Sequence, residues 1–520
     1  MYPVELNGEN LSIEDVYRIA SSWEEPTKVP VIIGPEAIDR VNRARQAIEN
    51  FISNNEIIYG VTTGFGDFKD RIIPLHQIKE LQRNIILSHA TGVGPALPRR
   101  AVRAMMAVRV QTFLKGHSGI RLEVIERLLQ MVNSGVYPII PVQGSLGASG
   151  DLAPLAHMSL VLIGEGEAWY QDKIYPAAEA MALAGIPIVV LEAKEGLALT
   201  NGTTLMSTLG ALSMYKAEQL TRIADIAAAL SIEALQGTPL AFDERLHHAR
   251  PHPGQIASAA YIRKLLEDSN LVRVFDPLDI QDAYSLRCTP QVHGAARDVC
   301  AFARGAIEIE LNSANDNPLI FYEDDGTAVA ISGGNFHGEP IAIPMDNLKV
   351  GLAELANISE RRLTRLIDYK TNKNILPPFL TRHGGVNSGF MIVQYTAASL
   401  VSENKVLAHP ASVDSIPSSA NTEDHVSMGT IAARQVYDIS KNVEYVLACE
   451  LFGAAQGIDF RLENGGEISR LGKGTRAAYQ LIRDHVPFLE TDALMAPLIK
   501  KVHNLVLSGE LLEIVEEEII

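Results

Sequence analysis

The chain has 520 residues, of which 47% are hydrophobic, and a formal net charge of −17 at pH 7. A chain of this length exceeds one compact core and predicts two regions that share an interface. The acidic charge disfavours nucleic acids and anionic membranes as partners, and three widely spaced cysteines supply neither a disulfide framework nor a metal knuckle.

The N-terminal segment has no features of an export signal. Residues 1–5 read Met-Tyr-Pro-Val-Glu, and the stretch that follows is acidic rather than basic or apolar. The longest apolar runs, such as residues 138–142, are far too short to cross a bilayer. We therefore expect a cytoplasmic protein whose cysteines are buried structural thiols.

Most of the chain has helical periodicity. Apolar residues at helical spacing predict a helix over residues 122–132, with Gly135 as its C-terminal cap and Pro138 blocking continuation. Three longer helices are predicted at residues 212–235 (closed by Gly237), 348–366 and 438–455. Their alanine-rich faces allow close helix approach, which favours a bundle.

Strand signals are few and short. Candidate strands lie at residues 31–33, 57–59 and 186–190, and a hairpin is predicted from residues 319–322 and 328–331 across Asp324-Asp325-Gly326. Because the predicted elements show no βαβ alternation, the sequence does not predict a doubly wound sheet. The expected fold class is mainly α, divided near residue 200 into regions 1–200 and 201–520.

A glycine-rich loop at residues 144–151 carries the chemistry. It reads Gly-Ser-Leu-Gly-Ala-Ser-Gly-Asp, and alone it indicates a tight turn before a helix that Asp151 could cap. It is not a nucleophile elbow, because Asp151 stands where the second glycine must be. Neither this loop nor residues 472–475 have the spacing of a phosphate-binding loop.

The three residues Ala148, Ser149 and Gly150 can instead make an electrophile from the backbone. In a sharply bent loop the Gly150 nitrogen can attack the Ala148 carbonyl carbon, because glycine permits the unusual backbone angles. Loss of water closes a five-membered ring. Loss of the Ser149 hydroxyl as a second water leaves an exocyclic methylidene, and the product is 4-methylidene-imidazol-5-one (MIO).

Residues 144–167 closely resemble the signature of the histidine/phenylalanine ammonia-lyase family. Further segments that match the family lie before and after this run, in the family's order, at residues 59–66, 201–203, 281–288, 315–318, 333–337 and 387–391. The resemblance implies a central bundle of long helices with a smaller N-terminal region carrying the MIO loop. It also implies a homotetramer with active sites shared between subunits, an amino-acid substrate, and neither a metal nor an external organic cofactor.

The resemblance also implies roles for individual side chains. Tyr59 matches the catalytic tyrosine and is our candidate for the base that takes the β-proton of the substrate. Because the reference pKa of tyrosine is about 10, the site must lower it or the proton must move as Tyr59 is engaged. Arg287 matches the arginine that binds the substrate carboxylate, for which a planar fork is suited. The remaining matches line the electrophile and substrate: Asn201, Gln281, Tyr284 and Phe336.

Two positions indicate the substrate. His89 matches the histidine of histidine-specific members, although tyrosine-specific relatives also carry histidine there. Glu423 stands where lyases and aminomutases of aromatic substrates have glutamine, and a carboxylate suits an imidazole N–H better than a phenyl ring. Met391 matches a residue beside the imidazole, whereas Thr422 departs from the glutamine expected before Glu423. We therefore expect deamination of L-histidine to trans-urocanate and ammonia, the first step of histidine degradation.

Three alternatives remain open at this point. A tyrosine or phenylalanine lyase, or an aminomutase, would use the same MIO group. A catalytically silent helical scaffold would keep the fold without the ring. A metalloenzyme is considered because one stretch contains three histidines, His247, His248 and His252. It is disfavoured because residues 250–254 read as an exposed loop and no carboxylate lies at ligand spacing in a helix.

Overall fold

The computed structural model describes residues 2–273, 276–277, 279–463 and 466–519. Within these residues it contains nineteen α-helices and nine short strands, which confirms the mainly α fold class. The chain forms two compact units: a first unit of Met1–Tyr215, Ala303–Asp346 and Pro410–Arg434, and a second unit of Lys216–Phe302, Asn347–His409 and Gln435–Ile520. The division near residue 200 stays a prediction.

The helices follow one another with few long interruptions. In chain order they are α1 Ile13–Ser21, α2 Pro35–Ser53, α3 Ile78–His89, α4 Arg99–Leu114, α5 Leu122–Ser134, α6 Leu152–Leu162, α7 Ala177–Leu183, α8 Glu195–Thr200, α9 Thr204–Ala234, α10 Glu244–His248, α11 Pro253–Leu265, α12 Tyr284–Arg287, α13 Thr289–Leu311, α14 Glu339–Ile367, α15 Met391–Leu407, α16 Gly429–Leu462, α17 Lys473–His485, α18 Met495–Ser508 and α19 Glu510–Ile519. No helix among the described residues is both long and apolar enough to cross a membrane.

All four predicted helices are present, and the longest ones extend beyond their predicted bounds. Helix α5 ends on Gly135, whose φ of +74° provides the expected left-handed cap. The segments 212–235, 348–366 and 438–455 fall within α9, α14 and α16, apart from one residue at the end of α9. There the left-handed position is Gln236 (φ +56°), and Gly237 follows it with its N–H donating to the Ile232 carbonyl.

The strands form small separate sheets. Their bounds are β1 Val4–Leu6, β2 Val31–Ile33, β3 Val93–Ala96, β4 Tyr137–Pro138, β5 Pro141–Gln143, β6 Glu167–Tyr170, β7 Lys173–Pro176, β8 Leu319–Tyr322 and β9 Ala328–Ile331. Strands β1 and β2 pair in parallel. The antiparallel pairs are β3 with β5, β4 with β6, β6 with β7, and β8 with β9, so β6 is the central strand of a three-stranded sheet. The predictions of β2 and of the β8–β9 hairpin are confirmed.

Two predicted strands were wrong. Residues 57–59 form a turn, in which the Thr62 hydroxyl accepts from the Ile58 N–H and the Thr62 N–H donates back to the Ile58 carbonyl. Residues 186–190 are irregular, and Val189 donates one hydrogen bond to the Leu162 carbonyl. Both segments have the apolar content of a strand, but neither pairs with a strand in the part of the chain that the structure describes.

Candidate active site

The loop from Ala148 to Gly150 is bent into a tight turn between β5 and α6. The Gly150 N–H donates to the Gly147 carbonyl at 3.2 Å, and Ser149 has a left-handed φ of +51°. Gly150 has φ +83°, and a Cβ there would lie 2.1 Å from the Gly202 carbonyl oxygen. A side chain at position 150 would clash with Gly202, so the turn requires glycine at the position predicted to supply the attacking nitrogen.

Two residues directly after α8, Asn201 and Gly202, form hydrogen bonds with this turn. The Gly202 N–H donates to the Ser149 carbonyl at 3.1 Å, and the Asp151 N–H donates to the Gly202 carbonyl at 2.7 Å. The Asn201 side-chain nitrogen donates to the Ser149 carbonyl at 3.3 Å. The Asn201 Oδ1 is buried and has no hydrogen-bond partner among the described residues. This buried oxygen therefore fits a site in which a substrate or another bound group supplies the missing N–H or O–H donor.

Asp151 does not cap its own helix, which corrects the sequence prediction. It occupies the N-cap position of α6 without a side-chain capping bond. Its Oδ2 accepts instead from the N–H groups of Leu205 and Met206, at 2.7 and 3.0 Å, in the first turn of α9. Its Oδ1 accepts from the Thr430 hydroxyl at 2.6 Å. The carboxylate is fully buried, and burial raises its pKa to about 6 against the opposing effect of these donors.

Glu423 lies beside the turn although it is 274 positions away in sequence. The Ser149 hydroxyl donates to Glu423 Oε1 at 3.3 Å, and the Ser418 hydroxyl donates to Glu423 Oε2 at 3.1 Å. Ser418 and Glu423 form an antiparallel bridge around residues 419–421, all of which have left-handed φ angles. This compact loop holds the carboxylate at the serine that would become the electrophile.

Tyr59 and His89 belong to the same cluster. The Tyr59 oxygen accepts from the Gly66 N–H at 3.1 Å, while His89 ends α3 with its ring 6.2 Å from the Phe65 ring. Burial raises the pKa of Tyr59; the Gly66 hydrogen bond opposes this and the charge of Glu423 adds to it. Burial lowers the pKa of His89, against the Glu423 charge. The net direction for Tyr59 is a pKa above the ordinary tyrosine value, and its role as the base stays a prediction.

Phe336 lies in the short turn that precedes α14 and is half-buried. Two residues further on, a Cβ at Gly338 would lie 2.7 Å from the Ser427 hydroxyl, and a Cβ at Gly147 would lie 2.3 Å from the same oxygen. The turn that bears Phe336 and the turn that bears Ser149 therefore pack against one residue, Ser427. Sequence reasoning did not identify Ser427, although it lies only four positions after Glu423.

A sequence profile described as "Aromatic amino acid lyase" matches residues 11–484. The chain belongs to the aromatic amino acid lyase family. A histidine ammonia-lyase from Chloroflexus aurantiacus is 56% identical over 506 residues, covering 97% of this chain and 96% of that protein. The crystal structure of histidine ammonia-lyase from Trypanosoma cruzi matches with TM-score 0.90 at 41% identity, covering 100% and 96% of the two chains. A tyrosine aminomutase from Streptomyces globisporus matches with TM-score 0.92 at 38% identity, covering 99% of each.

The other four predicted site residues of this aromatic amino acid lyase lie in its second unit. Tyr284 begins α12 and is 71% exposed. The Arg287 guanidinium carbon lies 4.4 Å from the centre of the Tyr284 ring, and its Nε donates to the Asp282 carbonyl at 2.9 Å. Gln281 lines a cleft of about 280 Å³ in that unit, and Met391 is the first residue of α15. Their roles at a substrate stay predictions.

The histidines weighed as metal ligands are partly engaged. His247 is buried, with Nε2 3.1 Å from the Ala241 carbonyl oxygen and Nδ1 3.0 Å from the Gln255 side-chain nitrogen. Both ring nitrogens of His247 are therefore used within the fold. That the lyase needs no metal remains a prediction.

Proposed function

We propose that this aromatic amino acid lyase converts L-histidine to trans-urocanate and ammonia, with an MIO group formed from Ala148, Ser149 and Gly150. The observation that carries the proposal is the Glu423 carboxylate, 3.3 Å from the Ser149 hydroxyl. The relative from Chloroflexus aurantiacus, which bears the name histidine ammonia-lyase, supports the same substrate. The reaction is the first step of histidine degradation.

The side chains around Glu423 suit an imidazole. Glu423 is half-buried and forms no ion pair with a described residue. Such a carboxylate accepts a charge-assisted hydrogen bond from an imidazole N–H, which a phenyl ring cannot donate. His89 lies close enough to sense the charge of Glu423 and provides a second polar contact for a side chain held there. The tyrosine aminomutase shares the fold at a TM-score of 0.92, so the backbone does not discriminate between these substrates. The choice of substrate therefore rests on the side chains, and these favour histidine.

The residues of the turn fit the formation of the MIO group. The left-handed φ of Ser149 and the close approach of Gly150 to Gly202 bend the chain toward ring closure. When formed, the group supplies an electrophile that activates the substrate amine as a leaving group. Asn201 donates to the carbonyl of Ser149, and its buried Oδ1, which has no partner among the described residues, would accept from a donor that enters this site.

Proton transfer falls to Tyr59 and Glu423. To take the β-proton, Tyr59 must first lose its own phenolic proton to solvent. The Gly66 N–H that donates to its oxygen stabilises the resulting phenolate, whereas burial and the charge of Glu423 raise the pKa of Tyr59 and oppose it. Glu423 holds the imidazole N–H and exchanges protons with it. The Ser418 hydroxyl, which donates to Glu423 Oε2, orients the carboxylate for both tasks.

A homotetramer with shared active sites is part of the proposal. Tyr284, assigned a catalytic role, is largely exposed in the single chain, and Arg287 packs on its ring rather than on a carboxylate. Large apolar side chains are exposed along the long helices: Phe302 and Ile309 on α13, Val350 on α14, and Ile392, Tyr395 and Val406 on α15. Such surfaces mark subunit interfaces, where copies of the chain would bury them. The cytoplasmic location stays a prediction.

The decisive experiment is an absorbance assay for urocanate from L-histidine, with L-tyrosine and L-phenylalanine run in parallel. Urocanate from histidine alone is the expected result. We expect Glu423→Gln to lower kcat/KM for histidine by about 10- to 100-fold. The amide oxygen can still accept from the imidazole N–H, but the substitution removes the charge that strengthens this bond and the proton exchange. Asp424→Asn, at the exposed neighbouring position, is the matched control.

Three outcomes would contradict the proposal in different ways. Coumarate or cinnamate in place of urocanate would retain the electrophile and reject the substrate. Full histidine activity in Glu423→Gln would remove the argument from the carboxylate. No product from any amino acid, together with a mass that lacks the loss of two waters, would identify a silent scaffold.

A further inference from the structure

Four hydrogen bonds connect the 147–150 turn to the Asp151 carboxylate through two hydroxyl groups. The Ser145 hydroxyl donates to the Gly150 carbonyl at 3.2 Å and accepts from the Gly147 N–H at 3.2 Å, so it spans both ends of the turn. The Ser145 and Thr430 hydroxyl oxygens are 2.9 Å apart. Thr430 in turn donates to Asp151 Oδ1 at 2.6 Å.

The far end of this chain of hydrogen bonds is buried and bonded to the backbone of α9. Asp151 and Thr430 are buried, and the other oxygen of Asp151 accepts from the backbone of Leu205 and Met206. Because Thr430 uses its single proton on Asp151, its oxygen is free to accept from Ser145. The proton of Ser145 is thereby shared between the Thr430 oxygen and the Gly150 carbonyl, and the position of Ser145 is set by Thr430.

We propose that Thr430 and Ser145 are positioning residues for MIO formation, which hold the two ends of the 147–150 turn so that the Gly150 nitrogen faces the Ala148 carbonyl carbon. This inference rests on the proposed MIO chemistry. It concerns the maturation of the chain, and neither residue is assigned contact with the amino-acid substrate.

The covalent change balances within the three residues. A bond forms between the Gly150 nitrogen and the Ala148 carbonyl carbon. The Ala148 oxygen leaves as water with the hydrogens of the Gly150 and Ser149 nitrogens. The Ser149 hydroxyl then leaves as a second water with the hydrogen of the Ser149 α-carbon, and no oxidant is required.

Holding the ends of the turn is what makes the attack efficient. An amide nitrogen is a weak nucleophile, so closure depends on keeping the reacting atoms at near-attack distance rather than on their reactivity. The left-handed φ values at Ser149 and Gly150 would relax if the ends separated. Ser145 opposes this separation directly, and Thr430 opposes it by fixing the Ser145 hydroxyl.

The test follows maturation rather than turnover. After a short pulse of synthesis of the full chain, the mass of the peptide containing residues 148–150 is followed with time in the wild type, Thr430→Val, Thr430→Ser and Ser145→Ala. We expect the loss of two waters to slow by up to roughly 10²-fold in Thr430→Val and in Ser145→Ala, as for a misplaced reacting group. Thr430→Ser should restore the wild-type rate, because it returns the hydroxyl.

Thr208→Val is the matched control, since the buried Thr208 hydroxyl donates to the Thr204 carbonyl of its own helix. Its maturation should proceed at the wild-type rate. Wild-type maturation in a folded Thr430→Val and in Ser145→Ala would overturn the inference. If Thr430→Val does not fold, Ser145→Ala decides alone, because it removes a half-buried hydroxyl without creating a large cavity. A wild-type peptide of full mass would refute the MIO group itself, and with it the proposed function.

Discussion

Asp151 provides a quantitative test of the buried network beneath the active-site turn. Its carboxylate is fully buried, and burial raises its pKa from 3.8 to about 6. Asp151→Asn keeps the shape and an oxygen for the Leu205 and Met206 N–H groups. Its amide nitrogen can donate to the Thr430 oxygen, which reverses that hydrogen bond without removing it. The substitution therefore removes mainly the ionisation.

The sign and size of the effect follow from proton linkage. Because the pKa is higher in the folded chain, the folded state holds more protons than the unfolded state between pH 3.8 and about 6. Stability contributed by Asp151 is thus highest below pH 3.8 and is lost as the pH rises through about 6. A difference of about two pKa units corresponds to about 3 kcal/mol. Roughly half of that loss falls between pH 5 and 8.

The assay compares urea midpoints of the wild type and Asp151→Asn from pH 5 to pH 8 at one protein concentration, so that any oligomer is treated alike. We expect the free energy of unfolding of Asp151→Asn to rise by about 1 to 2 kcal/mol relative to the wild type between pH 5 and pH 8. Asp39→Asn, an exposed aspartate of α2, controls for the loss of one carboxylate. A wild-type-to-variant difference that stays constant with pH would refute the raised pKa of Asp151.

Three further predictions concern the packing of the fold. Arg362→Met should lower the free energy of unfolding, measured by urea titration, by about 3–5 kcal/mol, because it leaves Glu450 buried without its cation. The double variant that also carries Glu450→Leu should regain part of this lost stability. Gly60→Ala should lower stability by about 1–3 kcal/mol in the same titration, since position 60 has φ +63°. A thiol reagent should label at most Cys288 in the native protein, because burial raises the pKa to about 12 at the other two cysteines, Cys300 and Cys449; rapid labelling of all three would contradict this.

The helices and the β8–β9 hairpin could be predicted from the sequence because the signals involved are local. Apolar spacing sets which face of a helix is buried, and a glycine such as Gly135 ends a helix within a few residues. The Ala148-Ser149-Gly150 run is local in the same sense, since the bonds that the ring needs all lie within three residues. The chemistry proposed for the turn could therefore be predicted from these three residues without knowing what surrounds them.

The surroundings of that turn depended on the tertiary structure. Asp151 was predicted to cap the adjacent α6, but its carboxylate reaches the start of α9, 54 positions away, where unpaired N–H groups of a buried helix end required an acceptor. The segments 57–59 and 186–190 have the composition of strands, yet a strand also needs a partner that composition does not specify. The segment around Glu423 led us to propose this residue as a substrate determinant, but its contact with Ser149 spans 274 positions and could not be predicted. Contacts at such separations form only when the whole chain has packed, because each is selected by burial and unmet hydrogen bonding rather than by its neighbours in sequence.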